Sequence, residues 1–329
     1  MKYLVTGACG FIGSNYLQSL LAKGHQVFNI DCQTYAAQHF LHPTSNYTLL
    51  PINTNDVLEG VHLARIKEFQ PDYLVHFAAE SMVDRSLEEM ASFSFTRSNV
   101  SGTLNLLELM RRVPFTKAVF LSTDEVYGSL PDESAPGFTE QQLLNPSNPY
   151  AGTKAAADQL TISYVHNFKL PIVILRPSNN YGPNQHEEKF IPKCIKNFLA
   201  KQKIPLYGSG TNIREWTYVQ DTCGVIEFLL QHGVSGEVYN FGSGIRVSNL
   251  RIIEMLSHLT NIKFTDAYQH VPDRLGHDQA YGLNCRKILK LMRSVGLKPS
   301  FLPLDKGLLH TFNASAYEIL PNGKSHEPA

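Results

Sequence analysis

Ser122-Thr123-Asp124-Glu125-Val126-Tyr127-Gly128 places two adjacent carboxylates directly after an apolar run, Ala118 to Leu121, that reads as a buried strand. An Asp and a Glu side by side can offer one small molecule both an acid and a base, because like charges that close favour keeping one of them protonated. Twenty-five residues after Glu125, the run Tyr150-Ala151-Gly152-Thr153-Lys154 sets a phenol and an ammonium four residues apart. If Pro149 opens a helix, both lie on one face. A cation close to a phenol makes its proton easier to lose, which turns Tyr150 into a usable base for a hydroxyl group.

Such groups need a frame, and the N-terminus supplies one. Lys2 to Thr6 reads as a short strand, followed by Gly7-Ala8-Cys9-Gly10-Phe11-Ile12-Gly13 at G-x-x-G-x-x-G spacing. Phe11, Ile12, Tyr16, Leu17, Leu20 and Leu21 then recur at helical spacing until Gly24. Glycines between a strand and a helix let the backbone approach a pyrophosphate, whose charge the helix N-terminus favours. His25 to Ile30 reads as a second strand closed by Asp31, 18 residues after Gly13. A carboxylate there bonds ribose hydroxyls and repels a 2′-phosphate, so the expected cofactor is NAD. The predicted strands lie near 2–6, 26–30, 73–78, 117–122 and 171–176, alternating with helices near 11–23, 59–69, 90–112 and 150–168. This alternation predicts an α/β fold: a Rossmann-type, doubly wound parallel sheet. The acidic pair then sits beyond the carboxyl end of a strand, where such sheets hold ligands.

After Pro177 the elements become shorter, with strands at 206–208, 217–219 and 237–241 and helices at 222–231, 250–259 and 286–295. The expected division is an NAD-binding domain over 1–178, with 217–245 returning to it in part, and a smaller α/β substrate-binding domain over 179–315. Residues 316–329 are expected to be a mobile tail. The 29 basic residues balance 29 acidic ones, so no basic field favours nucleic acid or a membrane surface. Neither is expected as a partner. Five widely spaced cysteines without a C-x-x-C pair suggest free thiols, and no apolar run or leader-like segment points away from the cytoplasm. The histidines do not cluster with cysteines or carboxylates at ligand spacing, so no metal site is expected.

The chain resembles the extended short-chain dehydrogenases/reductases, and within them the nucleotide-sugar 4,6-dehydratases, most closely those acting on dTDP-glucose. The resemblance runs from Lys2 to about Phe312 and rests on several motifs. These are Thr123-Asp124-Glu125, Ala78-Ala79-Glu80-Ser81-Met82-Val83-Asp84-Arg85-Ser86, Ser178-Asn179-Asn180-Tyr181-Gly182-Pro183 and Glu188-Lys189-Phe190-Ile191-Pro192, joined by Arg214-Glu215-Trp216 and Asp273-Arg274-Leu275-Gly276-His277-Asp278. The resemblance implies a lyase that oxidises C4 of a nucleoside diphosphate hexose transiently, eliminates water across C5 and C6, and returns the hydride to C6. Tyr150, kept ionised by Lys154, would take the 4-hydroxyl proton, and Thr123 would orient that hydroxyl. Glu125 would be the base at C5, and Asp124 the acid for the departing 6-hydroxyl.

Implied at the cofactor are Gly7, Gly10, Phe11, Ile12, Gly13, Asp31, Asn53, Thr54, Ala78, Ala79, Ser81, Asn99, Tyr150 and Lys154. Implied at the substrate are Ser81, Arg85, Thr123, Asn179, Asn180, Lys189, Arg214, Asn249, Arg274, His277 and Tyr281. A homodimer through helices of the first domain is also implied. Four departures stand out: Met82 in place of a usual His, Asn53 in place of an Asp near the adenine, Leu275 in place of a common Pro, and Ala8-Cys9 in the glycine loop. A UDP-sugar dehydratase, an epimerase or decarboxylase of the same superfamily, and a non-catalytic NAD sensor remain as alternatives. The Asp124/Glu125 pair speaks against the second, and Tyr150 with Lys154 against the third.

Overall fold

The computed structural model describes residues 1–37, 44–132, 134–260, 262–273 and 276–319, the side chains of 317–319 excepted. The first half alternates β1 (Lys2–Thr6), α1 (Phe11–Ala22), β2 (Gln26–Ile30), β3 (Tyr47–Leu50), α2 (Gly60–Phe69) and β4 (Tyr73–His76). There follow α3 (Val83–Ser86), α4 (Ala91–Phe95), α5 (Gly102–Met110), β5 (Lys117–Leu121), α6 (Pro149–Phe168) and β6 (Ile172–Pro177). The second half forms β7 (Asn179–Tyr181), α7 (Phe190–Leu199), β8 (Ile204–Tyr207), β9 (Ile213–Tyr218), α8 (Val219–His232) and β10 (Val238–Phe241). It ends in β11 (Arg246–Ser248), α9 (Asn249–Thr260), β12 (Tyr268–Val271), α10 (Arg286–Ser294) and α11 (Leu304–Ile319).

Seven strands pair in the order β10-β6-β5-β4-β1-β2-β3, every pair parallel. A wholly parallel sheet needs cover on both faces, and the alternation of side chains provides two apolar surfaces. Tyr3, Val5, Val75, Val119 and Val173 pack with Leu17 and Leu20 of α1 and Ile226 and Leu229 of α8. Leu4, Leu74, Ala118, Phe120 and Ile172 point the other way, against Ile66 of α2 and Leu106 and Leu107 of α5. The strand order reverses between β1 and β4, which opens a crevice at their carboxyl ends.

Two features differ from the sequence-based reading, and between them stands a third, the partial return of 217–245, which the structure makes specific. The helix expected over 90–112 is interrupted: a π-helical stretch, Thr96–Ser101, separates α4 from α5. Its wider turn puts Arg97 and Ser98 on the crevice wall while Asn99 is buried. The segment near 217–245 divides, since β10 joins the large sheet but β9 pairs with β7 and β11 in a second sheet. That sheet shares a separate core with α7, α9 and α11, built on Tyr181, Ile195, Trp216, Leu256 and Leu308. Helix α11 also runs to Ile319, into the stretch expected as a tail, whose residues 320–329 lie outside the described ones.

Directly behind the acidic pair, a buried ion pair joins α6 to β6. Arg176 Nε lies 2.8 Å from Asp158 Oδ2, which also accepts from Ser122 Oγ at 2.9 Å. Arg176 Nη1 donates to the Tyr127 hydroxyl at 2.7 Å, and that hydroxyl donates to Asn240 Oδ1 of β10 at 2.8 Å. Removing one member strands the other's charge away from water. Arg176→Met is therefore expected to lower the unfolding free energy by about 3–5 kcal/mol in urea denaturation, and an unchanged transition midpoint would contradict this account.

Candidate active site

A cleft of about 590 Å³ opens at the switch point and runs from the glycine loop to the acidic pair. At one end lie Gly7, Gly10, Phe11, Ile12 and Gly13. Gly7 has φ +75°, and a Cβ there would meet the Ala78 nitrogen at 2.5 Å. A Cβ on Gly13 would come within 2.3 Å of the Gly7 carbonyl oxygen. Only glycine fits either place. No side chain caps the start of α1, and its first turn carries no acid. This leaves an N-terminus suited to a phosphate. The loop is held from β2: Asn29 Oδ1 accepts from the Ala8 nitrogen at 3.1 Å, and Asp31 Oδ2 from the Cys9 nitrogen at 2.8 Å. Asp31 Oδ1 accepts from the Gln33 nitrogen at 2.7 Å, and the carboxylate lines the cleft beside the loop, where a ribose would lie.

Asn53 and Thr54 line the same end, where Asn53 caps a short turn by accepting from the Asn55 nitrogen at 3.0 Å. Gly102 lets that turn pack closely on α5, since a Cβ there would sit 2.4 Å from Thr54 Oγ1. Ala78, Ala79 and Ser81 form the middle of the wall after β4. At the base of this region His76 is fully buried between Thr6 and Thr103, and burial pulls its pKa down to about 3. It is a neutral bridge between β1, β4 and α5.

The far end gathers Thr123, Asp124, Glu125, Tyr150, Lys154, Asn179, Asn180 and Lys189. Thr123 caps the turn that carries the acids, accepting from the Glu125 nitrogen at 3.4 Å. Asp124 is 2% exposed and its Oδ2 has no hydrogen-bond partner among the described residues. Burial first, then the neighbouring Glu125 and Glu215 carboxylates, push its pKa well up, against the weaker pull of Arg214. The site thus favours the protonated form of this carboxyl. Asn148 caps α6 with its Oδ1, 2.9 Å from the Ala151 nitrogen, and its Nδ2 reaches Glu125 Oε2 at 3.4 Å. One side chain therefore ties Glu125 to the helix that presents Tyr150. Lys154 Nζ donates to the Leu121 carbonyl at 2.5 Å, and burial lowers its pKa to about 8.

Two influences of the protein act on the Tyr150 phenol in opposite directions. Burial and the Glu125 carboxylate push the phenol up, and only a hydrogen bond with Thr123 pulls it down. The Lys154 ammonium is directed at a backbone carbonyl. A low phenol pKa in this cleft requires an added positive charge.

Several expected residues lie outside the cleft wall. Asn99 is buried, bonding both backbone groups of Glu80 and, at 2.9 Å, Thr153 Oγ1, so that it clamps the β4 loop to α6. Arg85 lies over the Tyr35 ring at 4.3 Å. Arg214 is buried against the Ile213 and Asp278 carbonyls with its guanidinium 4.4 Å from the centre of the Tyr281 ring. Tyr281 donates to Asp278, and burial first, then the Glu125 carboxylate, raises its pKa. His277 pairs with Asp273 at 2.6 Å, and Asn249 begins α9. Arg274 and Leu275 lie outside the described residues. Met82, at the start of α3, is likewise not on the wall. Among the described residues, no group of three or more His, Cys, Asp or Glu could hold a metal ion.

The NAD dependent epimerase/dehydratase family matches residues 3–242. The chain belongs to that family. Among its relatives, a dTDP-glucose 4,6-dehydratase of Streptomyces niveus is 39% identical over 94% of this chain and 91% of its own. The low-salt glycan biosynthesis protein Agl12 of Haloferax volcanii is 38% identical over 92% and 94%. The crystal structure of DesIV, a dTDP-glucose 4,6-dehydratase from Streptomyces venezuelae with NAD and TYD bound, superposes with a TM-score of 0.87 at 34% identity. It covers 97% of this chain and 98% of its own.

Family membership makes NAD the cofactor, and the glycine cradle, the uncapped helix and Asp31 fit it. The sequence reading passed over Asn29, His76, Asn148, Asp158 and Gln185. Asn148 carried a signal, an Asn directly before the Pro that opens a helix. Asn29, His76 and Asp158 depend on neighbours distant in sequence, and Gln185 on the fold of its own loop. The raised Asp124 pKa has a stability consequence: the folded chain holds that proton more tightly than the unfolded chain, so this contribution is fully present below the ordinary value of 3.8 and declines above it. Asp124→Asn, permanently neutral, should therefore gain stability relative to the native chain between pH 4 and pH 7. Urea titrations at both pH values check this, and a constant difference would show that the carboxyl is not held neutral.

Proposed function

We propose that the chain is a nucleotide-sugar 4,6-dehydratase of hydro-lyase type, acting on dTDP-glucose or a closely related nucleoside diphosphate hexose. A single observation carries this reading. A carboxyl held neutral by burial, Asp124, stands next to a second carboxylate, Glu125, in one cleft with Tyr150, Lys154 and a dinucleotide cradle. An epimerase or reductase needs the cradle and the tyrosine but has no use for an added acid and base. The family relatives named as dTDP-glucose 4,6-dehydratases support the same substrate class.

Bound NAD supplies reversible hydride acceptance at C4 of the hexose. Tyr150 takes the proton of the 4-hydroxyl, and Lys154 and Thr123 orient the phenol and that hydroxyl. A carbonyl at C4 makes the C5 proton acidic, and Glu125, positioned through Asn148, removes it. Asp124 gives its proton to the oxygen leaving C6, so that water departs rather than hydroxide. Its buried site keeps that proton available at neutral pH. Return of the hydride to C6 and of a proton to C5 then gives a 4-keto-6-deoxy sugar.

A homodimer in the cytoplasm completes the proposal. Phe93 of α4, Leu104 of α5, and Ile162 and Phe168 of α6 are large apolar side chains with substantial exposure. Helices α5 and α6 pack side by side, and burying such a face against a second copy is the ordinary remedy. All five cysteines are free, as a reducing compartment favours. No helix among the described residues is long and apolar enough to cross a membrane.

Incubation with dTDP-glucose and, separately, UDP-glucose should convert at least one of them to a species lighter by one water with the alkaline absorbance of a 4-keto sugar. Recovery of unchanged or epimerised sugar would refute the assignment. Glu125→Gln should bind NAD and nucleotide sugar normally while kcat falls by on the order of 10²–10⁴. Phe93→Asp combined with Ile162→Asp should shift the sedimentation coefficient from dimer to monomer; a native chain already monomeric at micromolar concentration would rule out the interface.

A further inference from the structure

We propose that Asn180 and Gln185 form an acceptor-only subsite in the cleft wall, which receives a neutral O–H or N–H donor of a bound ligand and disfavours phosphate. Neither amide is free to turn over. Gln185 Nε2 donates to the Asn180 backbone carbonyl at 3.0 Å, and Asn180 Nδ2 donates to the Ser178 carbonyl at 2.9 Å. A carbonyl only accepts, so exchanging nitrogen for oxygen in either amide would set oxygen against oxygen. Both amide oxygens consequently face away from those carbonyls. Asn180 Oδ1 and Gln185 Oε1 are buried with no hydrogen-bond partner among the described residues, as is Asn179 Oδ1, and all three residues line the cleft.

Buried acceptors left unmatched are costly, and a ligand group that donates to them relieves that cost. A phosphate at neutral pH offers only acceptor oxygens and would add repulsion. Asn180, expected from the sequence on the substrate side, would on this reading meet a donor group of the ligand. The loop that carries Gln185 is fixed at both ends. Asn15 Nδ2 donates to the Pro183 carbonyl at 2.9 Å, and Lys189 Nζ donates to the Ser81 carbonyl at 2.8 Å. The acceptors are set in place before any ligand arrives.

The inference rests on the nucleotide-sugar reading. With the 4-hydroxyl at Tyr150 and the 6-hydroxyl at Asp124, the sugar's remaining ring donors are the hydroxyls at C2 and C3. The carboxamide of NAD is the second candidate donor, at the nicotinamide end of the cofactor. Replacing a hydroxyl by fluorine removes the donor at similar size, and replacing the carboxamide by acetyl does the same for the cofactor.

Dissociation constants are measured by calorimetry in a Tyr150→Phe background, where oxidation cannot begin, with and without Gln185→Met. One arm compares dTDP-glucose with its 2-fluoro and 3-fluoro deoxy analogues, and the other compares NAD with 3-acetylpyridine adenine dinucleotide. In one arm, loss of the donor should weaken binding about tenfold when Gln185 is present and hardly at all in Gln185→Met. The arm that shows it identifies the donor. The proposal is overturned if no analogue binds more weakly to the protein with Gln185, or if the penalty persists in full without it. It is also overturned if Gln185→Met weakens binding of dTDP alone. The analogue comparison with Gln185 present does not depend on the variant folding. Dehydration of dTDP-glucose by the native chain is independent of all these results, so failure here would leave the assigned reaction standing.

Discussion

The buried Arg176–Asp158 pair is the constraint on which the arrangement of the cleft depends. It joins α6, which presents Tyr150 and Lys154, to β6, which leads into Asn179 and Asn180. Through Ser122 and Tyr127 the same network grips both sides of the turn bearing Asp124 and Glu125. A charge pair in the interior is seldom a net source of stability compared with apolar packing. Its value here is directional. Guanidinium and carboxylate accept few geometries, so four elements meet at one level, and the reactive groups at their ends converge.

Loss of solvent then sets the proton states of what has been brought together. It opposes charge wherever charge would form, and so moves acids and bases in opposite directions. The Asp124 carboxyl and the Tyr150 phenol hold their protons more tightly, while Lys154 and His76 hold theirs less tightly. For Asp124 this is the state that donation to a leaving hydroxyl requires. For Tyr150 it is the opposite of what proton abstraction requires. The difference assigns part of the work to the cofactor: a cationic ring seated in the cleft would favour the phenolate that the empty protein resists.

The residues that form the cleft have different origins in the chain. Gly7, Gly13 and Asp31 could be read directly, since strand, glycine turn, helix and second strand are consecutive and local. The same holds for the acidic pair and for Tyr150 and Lys154, each a short pattern on one element. Arg85 shares a motif with the lining residues Ala78, Ala79 and Ser81, and Asn99 and Arg214 were expected beside ligands too, yet Asn99 is a buried clamp and both arginines lie against aromatic rings. Resemblance placed them near the cleft without saying which way they turn. The π-helical stretch at 96–101 shows the same limit, because an extra residue in one helical turn leaves the apolar pattern of the flanking helices almost unchanged.

The amino-acid sequence by itself determined the parallel α/β class, the dinucleotide loop, the reactive pairs and the family, because each depends on residues close together or on a repeating period. Only the tertiary structure decided that β10 returns to the large sheet while β9 does not, that Asp124 is neutral, that Asn148 ties Glu125 to α6, and that Gln185 faces the cleft. Those properties arise from desolvation and from hydrogen bonds that no local pattern or period specifies. Neither quantity exists until the chain has folded.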